Sequence, residues 1–162
     1  MRSWKDFTAA APETAAIFDR RLGKTGMALM ATIRSDGFPR ISPLEPAVLA
    51  DRLYLGMMPD STKSLDLRRD ARCCLHSATE DKMVGDGDAK LWGRGVEVVA
   101  EAERREYAAA LEALNGVDVE AMGGYDLWIL DVTAAAGLVG EGDHLRISAW
   151  RDGEPERIIE KR

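Results

Sequence analysis

Two hydroxyl groups and one ammonium group follow each other at Ser61, Thr62 and Lys63, directly after a proline–aspartate turn. This stretch predicts a helix over 61–69 whose first turn is capped by Asp60 or Ser61. Lysine is mildly unfavourable in that turn, because the free backbone N–H groups already make it positive. A bound phosphate would remove the conflict, since N–H groups, hydroxyls and an ammonium all stabilise an anion. We therefore expect an anion site here, with an ordinary solvated lysine as the alternative.

The cysteines and histidines of the chain give little indication of redox, metal-binding or nucleophilic chemistry. Cys73 and Cys74 are adjacent in a predicted strand, so their side chains point to opposite faces and are poorly placed to bridge each other. We expect buried or half-buried thiols rather than redox or metal chemistry. His76 is expected to be a hydrogen-bonded core residue rather than a haem or metal ligand. With two histidines in the chain, no nucleophile–histidine arrangement is legible.

Three aspartates lie in the segment 79–88, which lacks apolar periodicity and is expected to be a mobile loop. Asp81, Asp86 and Asp88 could suggest calcium, but the closing acidic residue of a calcium-binding loop is missing. No metal site is therefore expected.

The elements that must position these residues are short strands joined by turns. Period-two alternation is clearest in 53–58, and the proline that follows ends this strand because it has no N–H group to donate. Asp36-Gly37 predicts a hairpin, and the three prolines of the returning strand predict a bend or bulge in it. Further strands are expected at 27–34, 71–78, 89–100, 125–133, 144–151 and 155–160, and helices near 4–7, 12–22 and 101–114. The second of these helices is expected to end at Gly23.

This order of elements predicts a mainly β (α+β) fold. Tight turns between strands argue against a parallel sheet, and closure of an antiparallel sheet removes its exposed edges. We expect a six- to seven-stranded antiparallel split β-barrel with peripheral helices. The 162 residues suit a single domain, 1–162, with a proper core.

Composition narrows the partners. The net charge of -6 offers no overall attraction to a phosphate backbone, so a nucleic-acid partner is not expected. No apolar run approaches the roughly 20 residues that span a bilayer, and the N-terminal stretch lacks the apolar segment of a signal peptide. These features predict a cytoplasmic protein with no membrane partner.

Three segments taken in order resemble a known family. ATIRSDGFPRISPLEP, RLYLGMMPDSTKSLDLRRDARCCLHS and LWGRGVEVV are similar to the core of the pyridoxamine 5'-phosphate oxidase-like flavin-binding split barrels. The resemblance covers 12–100, and the opening SWKDF and APE resemble an actinobacterial-type subgroup. It implies a homodimer with FMN at the subunit interface or, in some branches, the deazaflavin coenzyme or haem.

The resemblance also implies roles for particular residues. The phosphate would be held by Arg40 on the second strand and by the turn Ser61-Thr62-Lys63, although Thr62 stands where the oxidases often have arginine. Two strand segments would run along the flavin ring, mostly through their backbone. These segments comprise Ile41, Ser42, Pro43, Leu44, Gly56 and Met57.

The resulting expectation is an FMN-binding oxidoreductase acting on a small-molecule substrate, with its catalytic residues unidentified. The alternatives are a deazaflavin-dependent reductase and a non-catalytic flavin- or haem-binding protein. Pyridoxamine 5'-phosphate itself is not the expected substrate. Glu45 stands where the oxidases have lysine, and the C-terminal Arg-x-His element of those enzymes is missing, because Arg157 is followed by Ile159.

Overall fold

The computed structural model describes residues 1–80 and 82–162. Asp81, one of the three aspartates considered for calcium, lies outside the described residues. The helices are α1 (Trp4–Ala10), α2 (Pro12–Thr25), α3 (Thr62–Arg69) and α4 (Glu101–Asn115). The strands are β1 (Ala28–Ile33), β2 (Pro39–Leu44), β3 (Pro46–Leu49), β4 (Arg52–Met57), β5 (Arg72–Ser77), β6 (Asp88–Glu97), β7 (Asp126–Glu141), β8 (His144–Arg151) and β9 (Arg157–Lys161).

All the strand pairs of the described residues are antiparallel, in the order β2-β1-β5-β6-β7-β4-β3. The two ends of this path, β2 and β3, are separated in the chain by Glu45 alone. They are therefore two halves of one bent strand, and the path closes on itself as a six-stranded barrel. The proline-rich strand predicted to bend does so at this residue, and the predicted antiparallel barrel is confirmed.

The described strands exceed the roughly seven expected for two reasons. The bend divides one predicted strand into β2 and β3. β7 also extends beyond its predicted end at 133. It continues through a run of small residues to Glu141 and pairs there with β8. Beyond the barrel, the hairpin of β8 and β9 extends the sheet as predicted.

Two hydrophobic clusters hold the barrel and its helices together. The first fills the barrel, with alternate residues such as Leu53, Leu55 and Met57 from β4, and includes aromatic side chains of α1 and α2. The second lies on the opposite face of β4 and β7, where α4 covers it with Tyr107. β4 is thus buried on both faces, which explains its nearly continuous apolar sequence.

The ends of α1, α2 and α4 show which local signals the helices follow. Ser3 caps α1 by accepting a hydrogen bond from the N–H group of Asp6 at 3.0 Å. Gly116 ends α4 in the left-handed conformation. The expectation that Gly23 ends α2 is wrong, because the helix runs through it to Thr25 and Gly26 takes the left-handed position. No helix in the described residues combines the length and the apolar character required to span a membrane.

Candidate functional site

The first turn of α3 lies beside β2 and carries a buried polar atom without a partner. Ser61 is the residue that precedes the helix, but its side chain makes no capping bond, in contrast to the sequence prediction. Its Oγ atom is buried and has no hydrogen-bond partner in the described part of the chain. Asp60, the other predicted cap, instead pairs with Arg68 at 2.7 Å. A buried hydroxyl without a partner is costly, so this turn favours an additional ligand.

Lys63 joins this turn to β2. Its side chain is half-buried, and its Nζ atom donates a hydrogen bond to the carbonyl oxygen of Pro43 at 2.9 Å. Burial lowers the pKa of Lys63, because it disfavours the charged ammonium. No carboxylate of the described residues lies within ion-pair distance of this ammonium. An anion at this point would restore the stability of its charged form.

Arg40 is held at the same corner by a buried carboxylate. Its Nε atom lies 2.7 Å from Oδ2 of Asp66. Thr32 donates to the same oxygen, and Arg69 donates to Oδ1 of Asp66. Burial alone would raise the pKa of Asp66, but these hydrogen bonds outweigh it and keep the pKa below its usual value. The ion pair uses only one of the five N–H donors of the guanidinium. Arg40 is therefore oriented by α3 and retains donors for a second anion.

The other residues expected to bind the coenzyme divide between two faces of the barrel wall. Ile41 and Pro43 are exposed on the outer face, whereas Ser42 is half-buried and Leu44 is buried on the inner face. Met57 packs in the barrel core, and Thr62 is exposed at the start of α3. Arg40 and Lys63 each link β2 to α3, Arg40 through Asp66 and Lys63 through the carbonyl oxygen of Pro43, and their role in binding a phosphate stays a prediction. The β2 residues 41–44, expected to contact the flavin ring, extend along the barrel wall.

An apolar patch covers the outer face of β2, β1, β5 and β6. One row of cross-strand neighbours on this face runs from Ile41 through Ala31 and Cys74 to Trp92. Ile41 is 70% exposed and Trp92 40%. The next row contains Leu29, which is 42% exposed and lies between Pro43 and His76. Exposed apolar side chains in adjacent rows are typical of a protein interface.

A groove of about 950 Å³ opens on the other side of the bent strand. It lies between the C-terminal end of α2, the strands β3 and β4, the helix α4 and the segment 116–125. Its lining is mainly apolar, with Leu22, Val48, Met57, Leu111, Val119 and Met122. Two carboxylates, Asp19 and Glu45, also line it, and no lysine or arginine of the described residues does.

The tyrosine at the floor of this groove was not predicted from the sequence. Tyr107 is 4% exposed, and its hydroxyl lies against Gly56, where a Cβ atom would overlap with it. The sequence predicts α4 from its alanine and glutamate content, but it does not indicate which strand that helix covers. The one available signal was the glycine in an otherwise apolar strand, which indicates close approach of another group.

The thiols are protonated, and the metal-ligating side chains of the described residues are dispersed. Burial raises the pKa of Cys73 to about 12 and that of Cys74 to about 11, so both thiols are protonated near neutral pH. His76 is half-buried, and its Nδ1 atom lies 2.6 Å from the carbonyl oxygen of Ser77. Within 1–80 and 82–162, no group of three or more metal-ligating side chains is close enough to hold an ion.

Solved structures with the same fold come from several bacteria. A pyridoxamine 5'-phosphate oxidase-related, FMN-binding protein from Nostoc punctiforme superposes with a TM-score of 0.66, at 11% identity over 93% of this chain and 95% of that one. A 5-nitroimidazole antibiotic resistance protein from Bacteroides thetaiotaomicron gives 0.59, at 17% identity over 74% of this chain and 80% of that one. A haem-binding protein from Mycobacterium smegmatis gives 0.59, at 19% identity over 84% of this chain and 57% of that one.

These similarities define the class of fold. The chain has the split β-barrel fold of the pyridoxamine 5'-phosphate oxidase-related proteins, so the resemblance seen in the sequence is confirmed as a shared fold. No protein-family model matches the chain, and no curated protein matches it.

Proposed function

We propose that this protein is an FMN-binding oxidoreductase acting on a small-molecule substrate, and that it works as a homodimer with the coenzyme between its subunits. The observation that carries the proposal is the corner where α3 meets β2. Lys63 there has a half-buried ammonium and Ser61 a buried hydroxyl, and within the described residues neither the ammonium has a carboxylate partner nor the hydroxyl a hydrogen bond. Together with the guanidinium of Arg40, which Asp66 orients, they favour a phosphate group.

Each residue of the corner has a separate task. Lys63 supplies a charge-assisted hydrogen bond to the phosphate, and Ser61 and Thr62 supply hydroxyl donors beside the helix N–H groups. Arg40 contributes its remaining N–H donors while Asp66 fixes its orientation. Threonine at position 62 supplies a hydroxyl but no guanidinium fork, so the phosphate relies on Lys63 and Arg40 for its charge.

The flavin ring would follow the barrel wall away from this corner. The backbone of 41–44 and of Gly56-Met57 would contact it, and the exposed Ile41 would lie under the second subunit. Bound FMN supplies the hydride chemistry, while the protein binds the phosphate, orients the ring and excludes water. No acidic or basic side chain is needed as a catalyst in this scheme.

The test is to identify the small molecule that the protein carries. Mass spectrometry of compounds released from the purified protein distinguishes FMN, the deazaflavin coenzyme and haem by mass. The visible spectrum separates flavin from haem independently. Recovery of haem or deazaflavin instead of FMN, together with failure of the apoprotein to bind added FMN, would contradict the proposal.

A non-catalytic haem carrier is the second candidate, since a protein with this fold from Mycobacterium smegmatis is described as haem-binding. Absence of reduction by NADPH in a flavin-loaded sample would favour a carrier over an enzyme.

The charge of the surface bears on the deazaflavin alternative. A deazaflavin coenzyme has a longer acidic tail, which needs a more basic surface. The groove beside Gly56 is lined by Asp19 and Glu45 and, within the described residues, by no lysine or arginine.

A further inference from the structure

The rings of the three tyrosines form one row between α4 and the sheet, and their hydroxyls differ in their hydrogen-bond partners. The ring of Tyr107 lies between the rings of Tyr54 and Tyr125, at centroid distances of 5.2 and 5.6 Å. The hydroxyl of Tyr54 donates to Oε1 of Glu103 at 3.0 Å, and that of Tyr125 donates to the carbonyl oxygen of Arg104 at 2.7 Å. The hydroxyl of Tyr107 has no hydrogen-bond partner among the described residues.

This unpaired hydroxyl lines the groove rather than the protein interior. Tyr107 is 4% exposed, yet it belongs to the groove wall together with Gly56, whose missing side chain makes room for the hydroxyl. Burial raises the pKa of Tyr107 to about 12, with smaller contributions from Tyr125 and Glu45. The hydroxyl is therefore a hydrogen-bond donor at neutral pH, directed at whatever fills the groove.

The charge of the lining restricts the ligand further. Asp19 and Glu45 are the charged residues of the groove within the described chain, and both carry negative charge. A ligand with a carboxylate or phosphate near them would be repelled, while a neutral or cationic ligand would not. The remaining lining is mainly apolar, with Thr25 and Asn115 as polar exceptions, and it is rich in methionine, which adapts to ligands of different shape.

We propose that this groove binds an uncharged or cationic aromatic compound that carries a hydrogen-bond acceptor, and that Tyr107 donates to that acceptor. The groove shares Gly56 and Met57 with the strand segment assigned to the flavin ring. This inference rests on the proposed function, in which the compound is the substrate of the oxidoreductase. The volume of about 950 Å³ accommodates a fused two-ring compound with a side chain.

Three acetylnaphthalenes provide matched probes, because each has the same rings and the same ketone acceptor. The first carries a methoxy group on the far ring, the second a cationic aminomethyl group and the third a carboxylate. Calorimetric titration of the FMN-loaded protein should show binding of the first two, with the carboxylate weaker by about 10-fold. Failure of the neutral and cationic probes to bind, or equal binding of all three, would overturn the proposal.

Single substitutions test the two groups proposed to recognise the ligand, the hydroxyl of Tyr107 and the carboxylate of Glu45. Tyr107→Phe removes one hydroxyl without a protein partner, so it should keep the fold and weaken the neutral probe by about 3- to 10-fold. Tyr54→Phe is the matched control, since its hydroxyl bonds to Glu103 outside the groove, and it should leave binding unchanged. Glu45→Gln, at an exposed position, should selectively improve binding of the carboxylate probe. Equal effects of the two tyrosine variants, or no effect of Glu45→Gln, would overturn the assignment.

The same titrations separate this inference from the proposed coenzyme. The neutral probe should bind with similar affinity in the presence and absence of FMN, because the two ligands are neighbours. Displacement of the probe by FMN would overturn the inference, since the groove would then hold the coenzyme itself. Probe binding in a protein that does not bind FMN would support the groove and contradict only the coenzyme assignment.

Discussion

The ammonium group of Lys63 provides the most direct test of the phosphate corner. A charge-assisted hydrogen bond contributes about 1.5 to 3 kcal/mol, so Lys63→Ala should weaken FMN binding by roughly 10- to 100-fold. Riboflavin lacks the phosphate, and its affinity should change far less. Titration followed by the quenching of flavin fluorescence measures both affinities. Equal losses for FMN and riboflavin would show that Lys63 does not contact the phosphate.

A second lysine serves as the control for this experiment. Lys24 lies on α2, where its Nζ atom pairs with Asp86 at 2.6 Å and with Glu80 at 3.1 Å. Its charge is already balanced by these carboxylates, and it lies outside the corner formed by α3 and β2. Lys24→Ala should therefore leave FMN affinity unchanged, which distinguishes a local phosphate contact from a general effect of net charge.

A role that depends on immediate neighbours in the chain can be proposed from the sequence alone. The anion site at Ser61, Thr62 and Lys63, which stays a prediction, was proposed because hydroxyls and an ammonium at a helix start favour an anion. The ion pair between Arg40 and Asp66 was not, because its partners are 26 positions apart and meet only when α3 packs beside β2. The role of Tyr107 was missed for the same reason.

At the scale of elements, the contact between α4 and β4 depends on a glycine. A Cβ atom on Gly56 would overlap with the hydroxyl of Tyr107, whereas the next atom of that ring, Cζ, lies 3.4 Å away. Gly56→Ala should therefore force the helix or the ring to shift and lower the free energy of unfolding by about 1 to 3 kcal/mol. Chemical denaturation of the variant measures this loss.

The double variant Gly56→Ala/Tyr107→Phe tests the cause of that loss. Removing the hydroxyl leaves an ordinary contact between the new methyl group and the ring, so most of the lost stability should return. Tyr125→Phe in the Gly56→Ala background should give no recovery, since that hydroxyl bonds to Arg104 instead. Additive losses in both double variants would mean that backbone strain, rather than the hydroxyl, causes the effect.

Most helices and strands were predicted correctly from the sequence, and the errors in their boundaries have identifiable causes. The strand 125–133 was ended too early because the run of alanines and glycines after it has no strand-like alternation. Pairing with β6 and β8 on both sides, rather than local propensity, keeps that run extended to Glu141. Gly23 was mistaken for a helix stop because a glycine also fits within an exposed helical turn, and Gly26 provides the actual stop.

For the whole molecule, the apolar patch around Ile41, Leu29 and Trp92 favours association of two copies. We expect a homodimer in which FMN lies between the subunits, so that coenzyme binding also stabilises the dimer. Added FMN should then raise the melting temperature, and sedimentation should show a dimer that persists at lower protein concentration in its presence. A monomer that binds FMN stoichiometrically would contradict this prediction.

The acidic residue at the bend also argues against one substrate. Pyridoxamine 5'-phosphate carries a phosphate, yet the residue at the bend is Glu45, and in β9 the residue two positions after Arg157 is the apolar Ile159. A carboxylate about 4 Å from a phosphate charge costs about 4 kcal/mol even at an effective dielectric constant of 20. We therefore expect no turnover when FMN-loaded protein is incubated with pyridoxamine 5'-phosphate and oxygen. Formation of pyridoxal 5'-phosphate at about 1 per second would show this expectation to be wrong.

The methionines of the groove carry a chemical vulnerability. Met58 and Met122 line it and are 78% and 77% exposed, so oxidants reach both sulfur atoms easily. A flavin that reacts with oxygen releases peroxide beside them, and peroxide converts methionine into its polar sulfoxide. Each such event would replace part of an apolar wall with a polar one. The protein would then lose affinity for aromatic ligands as it ages in air, long before its barrel unfolds.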